Sequence, residues 1–243
     1  MERGEYERMA AVEERGWWYL GLHANLIRAW RRIARGPGSV AVLDAGCGTG
    51  GFLAQLEHRV SDARCYGLDI DLLAATLARQ KSRSAIALGS ATALPFAANS
   101  FDAVFSADVL CHRGVEPSPT LQAIRYCLKP GGILVLNLPA YRWLLSGHDH
   151  AVDNVRRFGR AEIRWLLEDA GFADIRMRYW NSLLFPLMLL QRLSHRQGAS
   201  DVALLPPPIE FLFRAIVGFE TWLGDRGFCF PFGGSILATA VKS

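Results

Sequence analysis

The chain reads VLDAGCGTGG from Val42 to Gly51. Its apolar beginning predicts a buried strand, and its glycines predict a tight turn into a helix. Glycines at this point also let a ligand approach the backbone N–H groups at the helix N-terminus. Asp69 follows Gly50 by nineteen residues, at the end of the next predicted strand. A carboxylate at that point can accept hydrogen bonds from both ribose hydroxyls. The segment therefore predicts a site for a ligand that contains adenosine.

On both sides of this turn, short apolar runs alternate with stretches of helical periodicity. The alternation predicts a parallel β-sheet flanked by helices. The predicted strands are Val40–Asp44, Arg64–Asp69, Ser84–Gly89, Phe101–Ala107, Ile133–Leu138, Asp174–Tyr179 and Ser235–Val241. The predicted helices between them are Gly50–Arg59, Asp71–Lys81, Thr120–Leu128 and Arg160–Ala170. The first thirty-five residues also carry apolar side chains at helical spacing, so helices are expected before the first strand.

The composition of the 243 residues is that of a globular protein, with 51% hydrophobic and 21% charged residues. These fractions exclude a disordered or coiled-coil chain. The length fits a single α/β domain, with an N-terminal helical cap at 1–36, a core at 37–181 and 231–243, and an apolar helical insertion at 182–230. A net charge of +4 without a basic stripe predicts no nucleic-acid partner.

The cysteines and the N-terminus favour a cytoplasmic protein. The five cysteines stand far apart without a CxxC pair, so neither a disulfide framework nor a structural zinc site is expected. Residues 1–15 have no apolar core of the kind that a secretory signal peptide needs. The longest apolar run, Leu183–Leu190, has eight residues and is too short to span a bilayer.

The glycine spacing leaves two ligand classes open. Gly46, Gly48 and Gly51 satisfy the GxGxxG pattern of dinucleotide-binding proteins, so an NAD-dependent oxidoreductase is one interpretation. Asp44 stands just before the glycines. A carboxylate there repels a pyrophosphate but attracts a ligand that carries an ammonium and a sulfonium. Asp44 therefore favours a methyl donor over a dinucleotide.

Four ordered motifs resemble those of the class I S-adenosylmethionine-dependent methyltransferases, in particular the type 11 methyltransferase domain of small-molecule and lipid-type enzymes. They are Leu43–Gly50, Gly67–Ile70, Leu94–Phe96 with Asn99–Asp102, and Leu128–Gly132. The resemblance implies an α/β, Rossmann-like fold with a seven-stranded sheet of order 3-2-1-4-5-7-6, in which strand 7 is antiparallel. It also implies that S-adenosylmethionine binds at the carboxyl ends of strands 1, 2 and 4. The helical cap would precede the sheet, and the insertion would lie between strands 6 and 7.

The resemblance also implies specific contacts with the cofactor. Asp44 would face the ammonium, Asp69 would hold the ribose, and Ile70 would pack on the adenine. Ser90 stands where the family usually has an aspartate that binds the adenine amino group. The other implied cofactor-binding residues are Gly46, Cys47, Gly48, Gly50, Ala91, Ala107, Tyr19 and His23. For the last two, the alternative is an aromatic stripe that packs the cap on the sheet.

Candidate catalytic residues follow strands 4 and 5, because methyl transfer requires alignment of the acceptor and, for some acceptors, removal of a proton. The candidates are His112, His148, Asp149 and His150, and the candidate substrate contacts are Tyr141, Trp143, Arg156 and Arg157. Histidine has an ordinary pKa suited to proton removal near neutrality. Alternatively, Asp149 caps a turn, and the two arginines are solvated or pair with Glu162. Adjacent His-Asp-His positions rarely converge on one ion, so no metal site is expected.

The apolar stretch 183–223 has three interpretations: a lid over an apolar acceptor, a peripheral membrane contact, or a homodimer interface. Within it, Glu210 and Arg214 stand four residues apart, which predicts an ion pair. We expect an S-adenosylmethionine-dependent methyltransferase that acts on a hydrophobic small-molecule or lipid-like acceptor by in-line transfer. A non-catalytic S-adenosylmethionine-binding module is the alternative, because Ser90 replaces the usual aspartate and Asp153-Asn154 stand where relatives have Gly-His.

Overall fold

A computed structural model describes residues 3–34, 39–194 and 204–243. Seven strands in these residues form a sheet of order β3-β2-β1-β4-β5-β7-β6. They are β1 Val40–Ala45, β2 Ala63–Asp69, β3 Ala85–Leu88, β4 Phe101–Ala107, β5 Leu128–Pro139, β6 Phe172–Trp180 and β7 Ser235–Lys242. β7 is antiparallel to β5 and β6, whereas the pairs among the first five strands are parallel. The strand order confirms the prediction, including the reversed last strand.

Helices cover both faces of the sheet. They are α1 Arg3–Val12, α2 Trp17–Arg31, α3 Gly51–Arg59, α4 Leu72–Lys81, α5 Pro117–Cys127, α6 Gly147–Ala151, α7 Arg160–Asp169, α8 Phe185–Ser194 and α9 Pro207–Asp225, with a 3₁₀ turn at Arg142–Leu144. Helix α5 begins earlier than its predicted start at Thr120, because a proline with its fixed φ suits the first turn of a helix. The described part of the predicted insertion, 182–194 and 204–230, contains α8 and α9.

The sheet is buried on both faces, so its ligand-binding region lies at the strand ends. On one face, the Phe105 ring of β4 packs against Phe52 of α3 and Trp30 of α2, with ring centroids 4.9 and 6.1 Å apart. The opposite face buries Val104 and Leu134 in a second apolar cluster with residues of α5 and α7.

A buried ion pair fixes the N-terminal helices over the glycine-rich turn. Glu13 is 4% exposed and accepts hydrogen bonds from Lys81 Nζ and from the Thr49 hydroxyl. Lys81 Nζ also donates to the Ala10 carbonyl at 2.9 Å. Because Thr49 belongs to the turn and Lys81 to α4, the end of α1 is held beside the predicted cofactor site.

A buried glutamate ties α9 to the cap. Glu210 accepts hydrogen bonds from the backbone N–H groups of Trp17 at 2.8 Å and Leu205 at 3.0 Å. These bonds replace the predicted ion pair, and Arg214 donates to the Arg15 carbonyl instead. The N–H groups at the start of a helix have no partner within the helix, so a buried carboxylate satisfies them. None of the helices in the described ranges is both long and apolar enough to cross a membrane.

Candidate active site

A cavity of about 640 Å³ lies at the carboxyl ends of β1, β2 and β4. Its wall combines the glycine-rich turn with residues of the N-terminal helices and of the insertion. The predicted residues in this wall are Tyr19, His23, Asp44, Gly46, Cys47, Gly48, Asp69, Ile70, Ser90, Ala91, Ala107, His112, Asp149 and Arg157. The structure thus brings together the whole predicted cofactor set except Gly50, and part of the predicted acceptor set.

Gly46 and Gly48 shape the turn because larger residues would be strained there. Their φ angles are +89° and +52°, and a Cβ on Gly46 would lie 2.3 Å from Val109 Cγ2. The N–H groups of Gly46 and Cys47 donate to the Leu68 carbonyl at 2.8 and 2.9 Å. These two N–H groups therefore close the turn against β2.

Gly50 has a packing role. It precedes α3 with a φ of +89°, and a Cβ at this position would lie 2.7 Å from the Cα atom of Ala78 in α4. Gly50 therefore allows α3 and α4 to approach each other closely, and it lies outside the cavity wall.

Asp69 ends β2 with both carboxylate oxygens facing backbone donors. Oδ2 accepts the Gly48 N–H at 2.8 Å, and Oδ1 accepts the Asp71 N–H at 3.0 Å. Each carboxylate oxygen retains further acceptor capacity, so the pair can also accept two ribose hydroxyls. Burial raises the pKa of Asp69, and the two backbone hydrogen bonds oppose that rise.

Asp44 places a buried carboxyl group at the inner part of the cavity. It is 3% exposed. Burial, and then repulsion from Asp69 and Glu13, raises its pKa to about 8. A cation restores the ionised form of such a carboxylate, whereas a pyrophosphate would be repelled. The electrostatics of this part of the cavity therefore fit a ligand with positive groups, such as the ammonium and sulfonium of S-adenosylmethionine.

Ile70 and Ser90 line the region predicted for the adenine. Ile70 is 72% exposed although it is apolar, which leaves its side chain open to pack against a ring. The Ser90 hydroxyl lies 2.7 Å from Thr92 Oγ1 and accepts the Thr92 N–H at 3.2 Å. Ser90 thus stabilises its own turn while it remains in the cavity wall.

His23 has a ring nitrogen, Nδ1, without a hydrogen-bond partner among the described residues. Its ring lies between Tyr19 and Phe52, with centroids 6.3 and 5.6 Å away, as aromatic packing of the cap requires. Within the described part of the chain, His23 Nδ1 is buried and has no hydrogen-bond partner. Burial lowers the pKa of His23 to about 3, so the imidazole is neutral. Packing and ligand contact are therefore compatible at this residue.

Tyr6 is a cavity residue that the sequence analysis did not identify. It is 8% exposed and lines the cavity. Burial, and then the negative charges of Asp69 and Asp71, raises the pKa of its hydroxyl. Helical periodicity in α1 marks an apolar face but does not reveal which strand end that face covers.

Asp108 directly follows β4 and heads a buried chain of hydrogen bonds. Asn137 Nδ2 donates to both of its carboxylate oxygens, each at 3.0 Å. The Trp180 indole N–H donates to Asn137 Oδ1 at 2.6 Å. Burial raises the pKa of Asp108 to about 7, while Asn137 and Arg157 act to lower it. Asp108 can therefore exchange a proton near neutral pH; the polar Asn137 inside an apolar strand was the available sequence signal.

His112 is the predicted catalytic histidine that the structure places in the cavity wall. Burial lowers its pKa, and a hydrogen bond to the Asp153 backbone opposes this change. A neutral imidazole with a lowered pKa is present near neutrality and can accept a proton.

Asp149 and Arg157 form a buried ion pair at the edge of the cavity. Arg157 Nε and Nη2 donate to Asp149 Oδ1 at 3.0 and 2.7 Å, and Nη1 donates to the Ala140 carbonyl at 3.1 Å. The Ser146 N–H donates to Asp149 Oδ2 at 2.9 Å. These contacts match the alternative in which Asp149 caps a turn.

The other acceptor-side candidates with described side chains, Tyr141, Trp143, His150 and Arg156, lie outside the cavity wall. Tyr141 stacks on Tyr179 with ring centroids 5.6 Å apart, and Trp143 beside it is 65% exposed. His150 is exposed on α6, and the side chain of His148 lies outside the described residues. Among the residues that the structure describes, no group of three His, Cys, Asp or Glu side chains is arranged to hold a metal ion.

Arg156 is also outside the wall. Its Nη2 lies 3.5 Å from Glu116 Oε1. Glu162, the alternative partner predicted for Arg156 and Arg157, is 2.6 Å from Arg142 Nη2. Of the alternatives left open for these arginines, pairing with Glu162 is therefore not found, because the 3₁₀ turn brings Arg142 to the start of α7.

A family model described as a methyltransferase domain matches residues 43–136. Among curated proteins, the chain is 33% identical over 117 residues to malonyl-(acyl-carrier protein) O-methyltransferase 1 of Coxiella burnetii, covering 48% of this chain and 40% of that protein. It is 31% identical over 119 residues to cycloartenol-C-24-methyltransferase 1 of Oryza sativa subsp. japonica, covering 46% and 33%. The chain thus matches well under two thirds of the length of these relatives.

The similarity extends to a solved structure. An S-adenosylmethionine-dependent methyltransferase of Thermotoga maritima shares the fold with a TM-score of 0.63 and 18% identity, over 99% of this chain and 95% of that one. The family match contains the glycine-rich turn, Asp69 and Asp108, which all line the cavity. Residues 43–136 therefore match a methyltransferase domain, and the chain shares the fold of a solved S-adenosylmethionine-dependent methyltransferase.

Proposed function

We propose that this chain transfers the methyl group of S-adenosylmethionine to a hydrophobic small-molecule or lipid-like acceptor. The observation that carries the proposal is a cavity with two chemically different parts. One part contains the carboxyl groups of Asp44 and Asp69, and the insertion contributes mainly apolar side chains, Leu184, Leu187, Met188, Leu205 and Phe213, together with Gln191 and Glu210. The part with the carboxyl groups suits a cationic cofactor, and the mainly apolar part suits an apolar acceptor.

The residues of this chain have separate tasks in the proposed reaction. Asp69 would hold the ribose, Ile70 would pack on the adenine, and Asp44 would balance positive charge. Bound S-adenosylmethionine supplies a methyl group activated by a sulfonium, so the protein has to align the acceptor and remove its proton where it carries one. We assign proton removal to Asp108 or His112, because both line the cavity and both can accept a proton near neutral pH.

The position of the insertion favours a role as a lid over the acceptor more than a role as a docking surface. Leu184, Met188 and Phe213 contribute to the cavity wall, so the inner side of the insertion would enclose the acceptor. Its outer side exposes Leu190 and Phe211, which are 65% and 75% exposed. As a second proposal, this exposed apolar side contacts either a membrane surface or a second copy of the chain. Either contact is compatible with the lid.

The names of the relatives do not select the acceptor. One is named for cycloartenol and another for a malonyl group on acyl-carrier protein. The mainly apolar side chains that the insertion contributes to the cavity wall are therefore the reason to favour a hydrophobic acceptor here.

The proposal can be tested with S-adenosylmethionine that carries tritium in its methyl group. The protein is incubated with apolar alcohols, phenols and phospholipid vesicles, and label is measured in the organic extract. We expect transfer to at least one class, and reduced transfer with Asp69→Ala at a cofactor concentration near the wild-type Kd. Tight cofactor binding without transfer to any class would instead support the non-catalytic binding module.

A further inference from the structure

Asn181, the first residue after β6, carries a buried hydrogen-bond acceptor that none of the described residues uses. It is 4% exposed and lines the cavity. Among the described residues, nothing donates a hydrogen bond to its Oδ1 atom. Burial removes the water that would otherwise bind this oxygen, so an unpaired state is unfavourable. An external donor would remove that penalty.

The backbone at Asn181 is firmly held, so the free oxygen does not belong to a loose loop. Glu220 of α9 accepts hydrogen bonds from the N–H groups of Ser182 at 2.8 Å and Leu183 at 3.1 Å, and from the backbone of Asn181. The Asn181 carbonyl accepts the Gly234 N–H at 3.2 Å. These contacts maintain a left-handed backbone with a φ of +56°, which asparagine adopts more readily than most residues. The side chain is therefore preorganised in the cavity wall.

The next wall residues after Asn181 along the chain are Leu184, Leu187, Met188 and Gln191, three apolar side chains and one polar one. Leu184 is 7% exposed and Leu187 is 50% exposed, and Met188 follows on the same helix. The exposure of Leu187 leaves this part of the cavity with an open side. A few polar atoms among mainly apolar side chains fix the orientation of a ligand more than its overall affinity.

On the basis of the proposed methyl transfer, we propose that Asn181 Oδ1 accepts a hydrogen bond from the polar head of the acceptor. That head is a hydroxyl or an amine N–H, and the apolar body of the acceptor lies against Leu184, Leu187 and Met188. The acceptor is thus an amphiphile with a hydrogen-bond donor at one end. A molecule of the same shape without the donor leaves the oxygen unpaired and binds more weakly.

Two ligand pairs that differ only in this donor test the inference. They are decan-1-ol with 1-methoxydecane, and 4-hexylphenol with 4-hexylanisole. Their dissociation constants are measured calorimetrically on the full chain saturated with S-adenosylhomocysteine. We expect the wild type to prefer the donor-bearing member of a pair by about tenfold, the effect of one buried hydrogen bond.

Three variants separate the side chain from the backbone. Asn181→Gly fits the left-handed backbone but lacks the amide, so the preference should disappear. Asn181→Asp keeps an oxygen acceptor and should retain the preference. Asn99→Gly is the matched control, because Asn99 also has a φ of +56° but is exposed and outside the cavity wall, and it should bind like the wild type.

Equal wild-type affinities within both pairs, or an undiminished preference in Asn181→Gly, would overturn the inference. Titration of the same variants with S-adenosylmethionine keeps the two proposals apart. If the cofactor binds and the preference is absent, the acceptor subsite is refuted and the methyltransferase proposal stands. If the cofactor fails to bind the wild type, the proposed function itself is refuted.

Discussion

The side-chain nitrogen of Asn137 lies 3.0 Å from each carboxylate oxygen of Asp108. The orientation of this amide is fixed from its other end, because the Trp180 indole N–H donates to Asn137 Oδ1 at 2.6 Å. Trp180 immediately precedes Asn181, so the buried chain of hydrogen bonds connects the end of β4 with the turn after β6. This network therefore supports Asp108, which we propose to accept a proton. It also ends next to Asn181, which we propose to contact the substrate that is methylated.

Replacing Asn137 by leucine should raise the pKa of Asp108 above its present value of about 7. Hydrogen bonds to an ionised carboxylate favour that form, and Asn137→Leu removes both. The intensity of the infrared C=O band of the protonated Asp108 carboxyl is measured over a pH series. The band is assigned to Asp108 by its absence in Asp108→Asn. Trp180→Phe is the control. It keeps Asn137 and should therefore raise the pKa of Asp108 less than Asn137→Leu does. An identical titration in Asn137→Leu would show that the amide does not tune Asp108.

Asp69→Ala should weaken binding of S-adenosylmethionine by about 5- to 100-fold, because hydrogen bonds to a charged acceptor are lost. Asp71→Ala is the matched control. The Asp71 carboxylate caps α4 through the N–H groups of Leu73 and Ala74, so its loss should cost about 1 kcal/mol of stability and leave the affinity unchanged. Calorimetry and urea denaturation measure the two effects. A normal affinity in Asp69→Ala would remove Asp69 from the cofactor site.

The affinity for S-adenosylmethionine should increase between about pH 6 and about pH 9. The pKa of Asp44 is raised to about 8, so below that pH the carboxyl must lose a proton before it can balance the charge of the cofactor. Without cofactor the sign is opposite: the folded-state pKa lies above the ordinary value of 3.8, so the stability contributed by Asp44 is lost as the pH rises towards 8. Asp44→Asn should flatten both profiles, and a wild-type affinity that falls over this range would contradict the assignment.

Asp149→Ala should lower the free energy of unfolding by about 3–5 kcal/mol, because it leaves the buried guanidinium of Arg157 without its partner. Arg157 and Asp149 are 5% and 1% exposed. The double variant Asp149→Leu with Arg157→Met should recover part of the loss, since an apolar pair needs no desolvated charge. Urea denaturation measures both. A single variant as stable as the wild type would show that this ion pair does not hold the segment after β5.

Local signals predicted the seven strands, and the family resemblance implied their order, which the structure confirms; the structure also places most of the residues proposed for the cofactor in one cavity wall. Alternating strands and helices imply parallel pairing, and strand ends such as Asp69 must meet at one edge of a parallel sheet. The acceptor side was predicted less well. Arg142 rather than Arg156 reaches Glu162, and Tyr141 and Trp143 pack outside the cavity, because these contacts depend on turns that have no strong sequence signature.

The residues that sequence reasoning missed are set by long-range packing. Tyr6 reaches the cavity because Glu13, Thr49 and Lys81 hold α1 over the turn. Asn181 reaches it because Glu220 of α9 binds the turn after β6. Neither relationship follows from spacing along the chain, since the partners are separated by dozens of residues.

The most direct test of a methyl-donor site is a parallel calorimetric titration of the purified protein with S-adenosylmethionine, S-adenosylhomocysteine and NAD. We expect the first two to bind at one site per chain and NAD to give no binding heat, because the carboxyl groups of Asp44 and Asp69 can balance positive groups of a ligand and repel a pyrophosphate. Binding of NAD without binding of S-adenosylmethionine would contradict the methyltransferase assignment and favour an oxidoreductase.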